Sequence, residues 1–329
     1  MKILIVNNSK IPVNLYGGTE RVIWSLGKEL VKLGHEVVYL VQQGSYCHFA
    51  KVVFIDSSKP IVDQIPEDID VIHFHFEPEG IERLRAPYVI TFHGNRNSQD
   101  AFDRNTIFIS KNHATRYGST CFVHNGLDWN EYSTPDLNKA RSHFHFLGKA
   151  AWRVKNLVGA IDIIKSIPSE RLMVIGGVRF NFNMGIRLTW TPKVRFKGML
   201  GGSEKDTLLN QSKGLVFPVR WHEPFGLAII ESLYFGCPVF GTPYGSLPEI
   251  VHQEVGFLSN KKNELKEALT HAHQFSAKTC HEYALSEFNS RKMALSYLAC
   301  YEQVLSGLYL NEKQPGLIDV QTEKFLPWI

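Results

Sequence analysis

Residues 214–251 read GLVFPVRWHEPFGLAIIESLYFGCPVFGTPYGSLPEIV, and the order of patterns within them decides the fold. The run Leu215-Val216-Phe217, held between Gly214 and Pro218, has the length and apolar continuity of a buried strand. A polar loop, Arg220-Trp221-His222-Glu223, leads into Pro224-Phe225-Gly226. Leu227, Ile230, Leu233 and Tyr234 then recur at helical spacing. A helix that starts at such a turn presents unpaired N–H groups and partial positive charge, suited to an anion or to sugar hydroxyls. Glu223 lies in the loop and Glu231 inside the helix, with seven residues between them. Two arbitrary glutamates would be read as solvated. Glu231, however, follows Ala228-Ile229-Ile230 and precedes Ser232-Leu233, so it is a carboxylate among apolar neighbours beside a strand's C-terminal end. That is where doubly wound sheets bind ligands. Pro238-Val239-Phe240 and the turn Gly241–Ser246 begin the next such unit.

The same rhythm extends outward in both directions. Residues 2–6 are continuously apolar, as in a parallel strand covered on both faces. A glycine loop follows, then a helix with Val22, Ile23, Leu26, Leu30 and Leu33 on one face and Gly34 closing it. His35–Val41 is the next strand, without the full G-x-G-x-x-G fingerprint. Val52–Ile55, Val71–Phe76, Tyr88–Gly94, Thr106–Ser110 and Thr120–His124 continue the first half as strands. His73 and His75 share one strand face with no third ligand in view, so the pattern favours packing over a metal pair. Thr134–Lys139 reads as a linker. The second half restarts at Phe144–Lys149, runs through a basic loop to Lys155, and then into a helix with Leu157, Ala160, Ile161 and Ile164 inward. The loop 178–192 is aromatic and basic and reads as a packed loop, with nucleobase stacking as the alternative. Helices follow to about Ser306, and the remainder reads as a surface tail.

E-P-F-G-L-x-x-x-E followed by G-x-P-V-x-x-x-x-x-G-x-x-x-E resembles the donor-site signature of glycosyltransferase family 4. It is carried here by Glu223, Phe225, Gly226, Glu231, Gly236, Pro238, Val239, Gly245, Glu249 and Ile250. Gly17-Gly18-x-Glu20, the T-x-H-G of Thr91–Gly94, and Asn125-Gly126-x-Asp128 resemble further motifs of that family. The resemblance implies an α/β chain of two Rossmann-like domains facing across a cleft, the GT-B fold. It divides the chain into an acceptor-side domain at 1–140, a nucleotide-sugar-binding domain at 141–306, and a tail at 307–329 packed back on the first. The implied activity is retaining transfer of a sugar from a nucleoside-diphosphate sugar to a hydroxyl acceptor, an EC 2.4 reaction, in glycan or glycolipid assembly. His93, Glu223, Lys149 and Lys155 take the catalytic positions. Gly17, Gly18, Arg153, Gly198, Met199, Phe225, Gly226, Leu227 and Glu231 take the donor positions, and Thr19, Glu20 and Asn125 face the acceptor. Lys149 stands where the family has arginine, and Asn156 where it has glycine. Lysine is a point charge without arginine's bidentate fork, and Arg153 is placed to share its role. A glycosyl phosphorylase, a nucleotide-sugar epimerase or a module that binds nucleotide-sugar without turnover would carry many of the same residues.

Composition narrows the class further. Hydrophobic residues make up 44% and charged residues 21% of 329, which suits two soluble domains with their own cores. A formal charge of +4 fits anionic substrates or an anionic membrane surface and does not single out nucleic acid. Arg21, Trp24, Lys28 and Lys32 ride on the helix after the glycine loop, which would be the contact for a membrane-borne acceptor. Five scattered cysteines without a C-x-x-C pair read as cytoplasmic thiols. The first residues turn polar too soon for a signal peptide. No D-x-D stands at a strand end near the second-half signature, and Asp68-Ile69-Asp70 precedes its strand. The expectation is therefore a metal-independent site with no cofactor beyond the nucleotide-sugar.

Overall fold

Lys2–Val6 (β1) is apolar because both of its faces are covered, and it forms the centre of a six-stranded, wholly parallel sheet. Here and below, the fold is that of a computed structural model describing residues 1–13, 15, 17–182, 184–318 and 320–329. The first sheet joins β1 to Glu36–Val41 (β2), Lys51–Phe54 (β3), Val71–Phe74 (β4), Tyr88–Thr91 (β5) and Thr106–Ile107 (β6), in the order β3-β2-β1-β4-β5-β6. Helix α1, Gly18–Lys32, follows β1 and buries Val22, Ile23, Leu26 and Leu30. The order reverses direction between β1 and β4, which defines a topological switch point.

The second sheet repeats the arrangement. Its central strand is His143–Leu147 (β7), followed by helix Leu157–Lys165 (α3, after the short α2 at Lys111–Arg116) and Leu172–Ile175 (β8). A two-stranded antiparallel hairpin, Phe180–Asn181 (β9) with Arg187–Leu188 (β10), comes before Val194–Phe196 (β11). Then follow Gly202–Asn210 (α4), Ser212–Phe217 (β12), Leu227–Tyr234 (α5), Val239–Gly241 (β13), Leu247–Ile250 (α6) and Gly256–Leu258 (β14). The sheet order is β11-β8-β7-β12-β13-β14, all parallel, so its switch point lies between β7 and β12. Phe144, Phe146, Val174, Val216 and Phe240 of this sheet pack with Leu157, Ala160, Ile161 and Ile164 of α3 as one buried cluster. Helices Lys262–Thr270 (α7), Ala277–Glu287 (α8) and Ser290–Leu305 (α9) complete the chain's regular structure.

The chain divides into two units, each assembled from separate stretches of sequence. Unit 1 holds Met1–Val13, Gly17–Trp129 and Phe288–Gln321, and unit 2 is built chiefly from Asn130–Glu287 and Thr322–Ile329. The sequence expectation of one boundary near 140 and a second domain to 306 differs from this, and the tail from 307, expected to pack back on the first domain, is divided, with residues to Gln321 in unit 1 and Thr322–Ile329 in unit 2. Residues 130–140 belong with unit 2 because the Ser133 amide donates to Asp206 at 2.9 Å and the Asp136 amide to Asn210 at 3.0 Å. Helix α9 belongs with unit 1 because Tyr301 and Tyr297 hydrogen-bond His73 and Thr91 at the first sheet, at 2.7 and 3.1 Å.

Two further expectations give way. Thr120–His124 forms one parallel bridge, Phe108 with Phe122, and no strand. The segment follows α2 (Lys111–Arg116) and meets the sheet only around Phe108, whose amide donates to the Cys121 carbonyl at 3.1 Å and whose carbonyl accepts from the Val123 amide at 2.8 Å. The membrane-facing reading of α1 also fails in its details. Trp24 is buried, Lys28 pairs with Asp128 at 2.8 Å, and Lys32 pairs with Glu29 at 3.1 Å. Both lysines are paired with carboxylates of the same unit, and Arg21 Nε donates to the Gly17 carbonyl at 3.3 Å. None of the five cysteines is in a disulfide.

Candidate functional site

In unit 2 the two loops that leave the sheet at its switch point are tied together. The loop after β7 spans 148–156 and the loop after β12 spans 218–226. The Arg220 amide donates to the Val154 carbonyl at 2.7 Å, and Asn156 Nδ2 donates to the Pro218 carbonyl at 2.9 Å. Asn156 sits at φ +54°, in the left-handed region that glycine favours and asparagine tolerates. Its Oδ1 also accepts from the Gly159 amide, capping α3. Asn156 thus combines a left-handed backbone conformation with a cap on α3.

The third tie is ionic. Lys155 Nζ donates to Glu223 Oε2 at 2.5 Å, and Trp221 Nε1 donates to the same oxygen at 2.8 Å. Both charged residues are buried, so the pair is held by its mutual attraction and these hydrogen bonds. Glu223 is fixed from the other side by the turn at 245–246. Its carbonyl accepts from the Ser246 amide at 2.9 Å, and Ser246 Oγ donates to the Phe225 carbonyl at 2.7 Å. A Cβ on Gly245 would stand 2.2 Å from the Glu223 nitrogen, which explains why glycine occupies that position. Gly226, at φ +88°, turns the chain into α5, whose first-turn amides at Gly226 and Leu227 therefore open at the C-terminal end of the sheet.

Glu231 is buried on α5 and accepts from Lys205 Nζ of α4 and from the Tyr132 hydroxyl at 3.1 Å. Sequence reasoning did not assign Lys205, Tyr132 or Trp221. The signal for Lys205 is its four-residue spacing from buried Leu209 on one helix face. Lys149 and Arg153 are exposed, Lys149 over the Trp152 ring and Arg153 over Phe325. Arg153, with Arg187, Arg220 and Trp328, lines a cavity of about 520 Å³ beside the first turn of α3. Gly198 and Met199 follow β11, where the Gly176 amide donates to the Gly198 carbonyl at 2.6 Å.

In unit 1 the expected residues also gather at strand ends. Gly17 precedes α1, whose first turn holds Gly18, Thr19 and Glu20. His93 follows β5, and its Nε2 meets His75 Nδ1 at 2.9 Å. Burial lowers the His93 pKa to about 4, so the imidazole is neutral at ordinary pH. His73 lies behind them with Nδ1 at 2.7 Å from the Tyr301 hydroxyl and Nε2 at 2.7 Å from Thr91 Oγ1. Both its nitrogens are thereby occupied, and burial holds it well below the usual histidine range. Asp68 and Asp70 are engaged by Lys2 at the opposite end of β4, away from His73. Asn125 is buried beside Gly126, and its Oδ1 has no hydrogen-bond partner among the described residues. Among those residues no group of three or more His, Cys, Asp or Glu could hold a metal ion, and no helix is long and apolar enough to cross a membrane.

Residues 136–282 match the family model described as glycosyl transferases group 1. The structure is similar to that of AviGT4, a glycosyltransferase involved in avilamycin A biosynthesis, at 21% identity and a TM-score of 0.75, covering 93% of this chain and 98% of that one. It is similar to sucrose-phosphate synthase from Thermosynechococcus elongatus at 16% identity and a TM-score of 0.72, covering 93% and 99%. It also resembles HepE from Anabaena in complex with UDP-glucose, at 17% identity and a TM-score of 0.65, covering 94% and 100%. No curated protein matches the sequence. The fold is GT-B, two parallel-sheet α/β domains, and residues 136–282 of the second half carry the match to glycosyl transferases group 1.

Proposed function

We propose that the protein is a retaining, metal-independent glycosyltransferase that takes a sugar from a nucleoside diphosphate and delivers it to a hydroxyl of a glycan or glycolipid acceptor. The observation that carries this reading is the Lys155–Glu223–Trp221 cluster, at the point where the two switch-point loops of unit 2 are tied together. A diphosphate leaving group needs cations, and Lys149 and Lys155 supply them in the loop beside the start of α3. Lys155 is a three-donor ammonium, so its bond to Glu223 leaves further protons for phosphate oxygens. The α5 amides at Phe225, Gly226 and Leu227 hold sugar hydroxyls, and Glu223 orients the sugar. Glu231 receives the ribose hydroxyls, while Gly198 and Met199 border the base. Arg153 adds positive potential at the same loop.

In the reaction the bond from the sugar's anomeric carbon to the β-phosphate oxygen breaks, and its electron pair leaves with the diphosphate. The acceptor oxygen bonds to the anomeric carbon, and its proton passes to the departing diphosphate. On unit 1, His93, neutral and held by His75, is assigned to the catalytic set, Gly17 and Gly18 to the donor set, and Thr19, Glu20 and Asn125 to the acceptor side. Retention and family 4 membership rest on the motif resemblance. The UDP-glucose bound to HepE supports a uridine nucleotide as the first donor to test.

A panel of UDP-, GDP- and ADP-sugars, read by released nucleoside diphosphate in EDTA, tests the proposal. One donor is expected to turn over when a hydroxyl acceptor is supplied. Release that requires inorganic phosphate would assign a phosphorylase instead. Interconversion of the donor without release would assign an epimerase.

A further inference from the structure

The connection from β8 to β11 joins neighbouring parallel strands, a crossover that ordinarily carries a helix to cover the sheet. Here it carries the β9–β10 hairpin, whose side-chain pattern is inverted. Successive residues of a strand face opposite sides, and the polar positions Asn181 and Thr189 are the buried ones. The apolar residues Phe180, Phe182, Met184, Ile186, Leu188 and Trp190 are all exposed, Phe182 at 70%, Ile186 at 76% and Trp190 at 78%. The hairpin is nonetheless firmly built. Arg179 clips it by donating to the carbonyls of Thr189, Thr191 and Val194 at 2.9, 3.2 and 2.7 Å, and Phe180 packs on Trp190 with ring centroids 5.1 Å apart. A structured ribbon that turns its apolar face to water marks an interaction surface.

The charge around it identifies the partner. Between Glu170 and Glu204 the chain holds six cations, Arg171, Arg179, Arg187, Lys193, Arg195 and Lys197, and no acidic residue. Arg195 and Lys197, on and just past the edge strand β11, are exposed. A second copy of the chain is a poor partner, because a two-fold contact would set these cations against themselves. An anionic lipid surface satisfies both features, taking aromatic and aliphatic side chains into its interfacial layer and cations at its headgroups. We propose that the 178–190 hairpin docks unit 2 onto an anionic bilayer, with Phe182, Ile186 and Trp190 entering the interface and Arg195 and Lys197 meeting the headgroups.

Vesicle co-sedimentation tests this without reference to turnover, so its outcome is separable from that of the glycosyltransferase reading. The full chain is expected to pellet with phosphatidylcholine–phosphatidylglycerol vesicles and to stay in solution with phosphatidylcholine alone. The variant Phe182→Ser/Ile186→Ser/Trp190→Ser, checked for folding by circular dichroism, should bind about tenfold or more weakly. The surface pair Arg195→Glu/Lys197→Glu should lose binding to a similar extent. Failure of the unaltered chain to pellet with anionic vesicles would overturn the proposal, as would binding that survives both variants. A dimer in analytical ultracentrifugation that the hairpin variant converts to monomer would also overturn it, by assigning the surface to a second copy.

Discussion

At Glu223 the fold brings a carboxylate, an ammonium and an indole N–H together in a buried setting, and this has a stability signature separate from catalysis. Removing one member of a buried ion pair strands the other charge. Lys155→Met is therefore expected to lower unfolding free energy by about 3–5 kcal/mol, while Lys155→Met/Glu223→Gln regains most of that loss. Denaturant titration of the four members of the cycle checks it, and additive losses would contradict the pairing. Glu223 itself was legible in the sequence, since a carboxylate within a strand–turn–helix signature has few structural uses. Its partners were not, because Trp221 is a generic loop residue until the fold aims its indole. Lys205 is likewise 26 residues from Glu231, and only the packing of α4 beside α5 joins them.

At the scale of elements, the turn at Gly241–Ser246 acts as a brace under the loop that carries Glu223. A side chain at Gly245 must displace the Glu223 backbone and also adopt φ +65°. Gly245→Ala should cut turnover by about two orders of magnitude, the scale expected when an active-site group shifts by about an ångström. Gly34, at φ +88° with nothing near its missing Cβ, supplies the control. Gly34→Ala should cost only about 1 kcal/mol of stability and leave kcat unchanged. Equal activity in both variants would remove the brace from the account. The strand and helix of this stretch were legible because their apolar periods are long and distinct. The hairpin at 178–190 was not, because strands of two residues carry too little pattern to separate them from a loop. The return of α9 to unit 1 was equally hidden, since only Phe288 and Asn289 separate it from α8.

At the scale of the molecule, buried neutral histidines set an acid limit to stability. Burial lowers the pKa of His93 to about 4 and those of His113 and His145 to about 3, with His73 and His75 also held well below 6.5. Between those values and 6.5 the unfolded chain takes up protons that the folded chain refuses. Stability is therefore full above about pH 6.5 and falls as the pH drops toward 4, by up to ~1.4 kcal/mol per pH unit for each histidine. Urea midpoints measured across that range should fall steadily, and a flat profile would contradict the neutral, buried assignment. The central claim, a nucleoside diphosphate held by unit 2 without metal, is tested most directly by calorimetric titration with UDP, GDP and ADP in EDTA. One site per chain is expected for at least one of these, weakened about tenfold or more in Lys149→Ala, an exposed cation whose loss spares the fold. Binding of none of the three, binding that appears only with added Mn²⁺, or undiminished affinity in Lys149→Ala would contradict it.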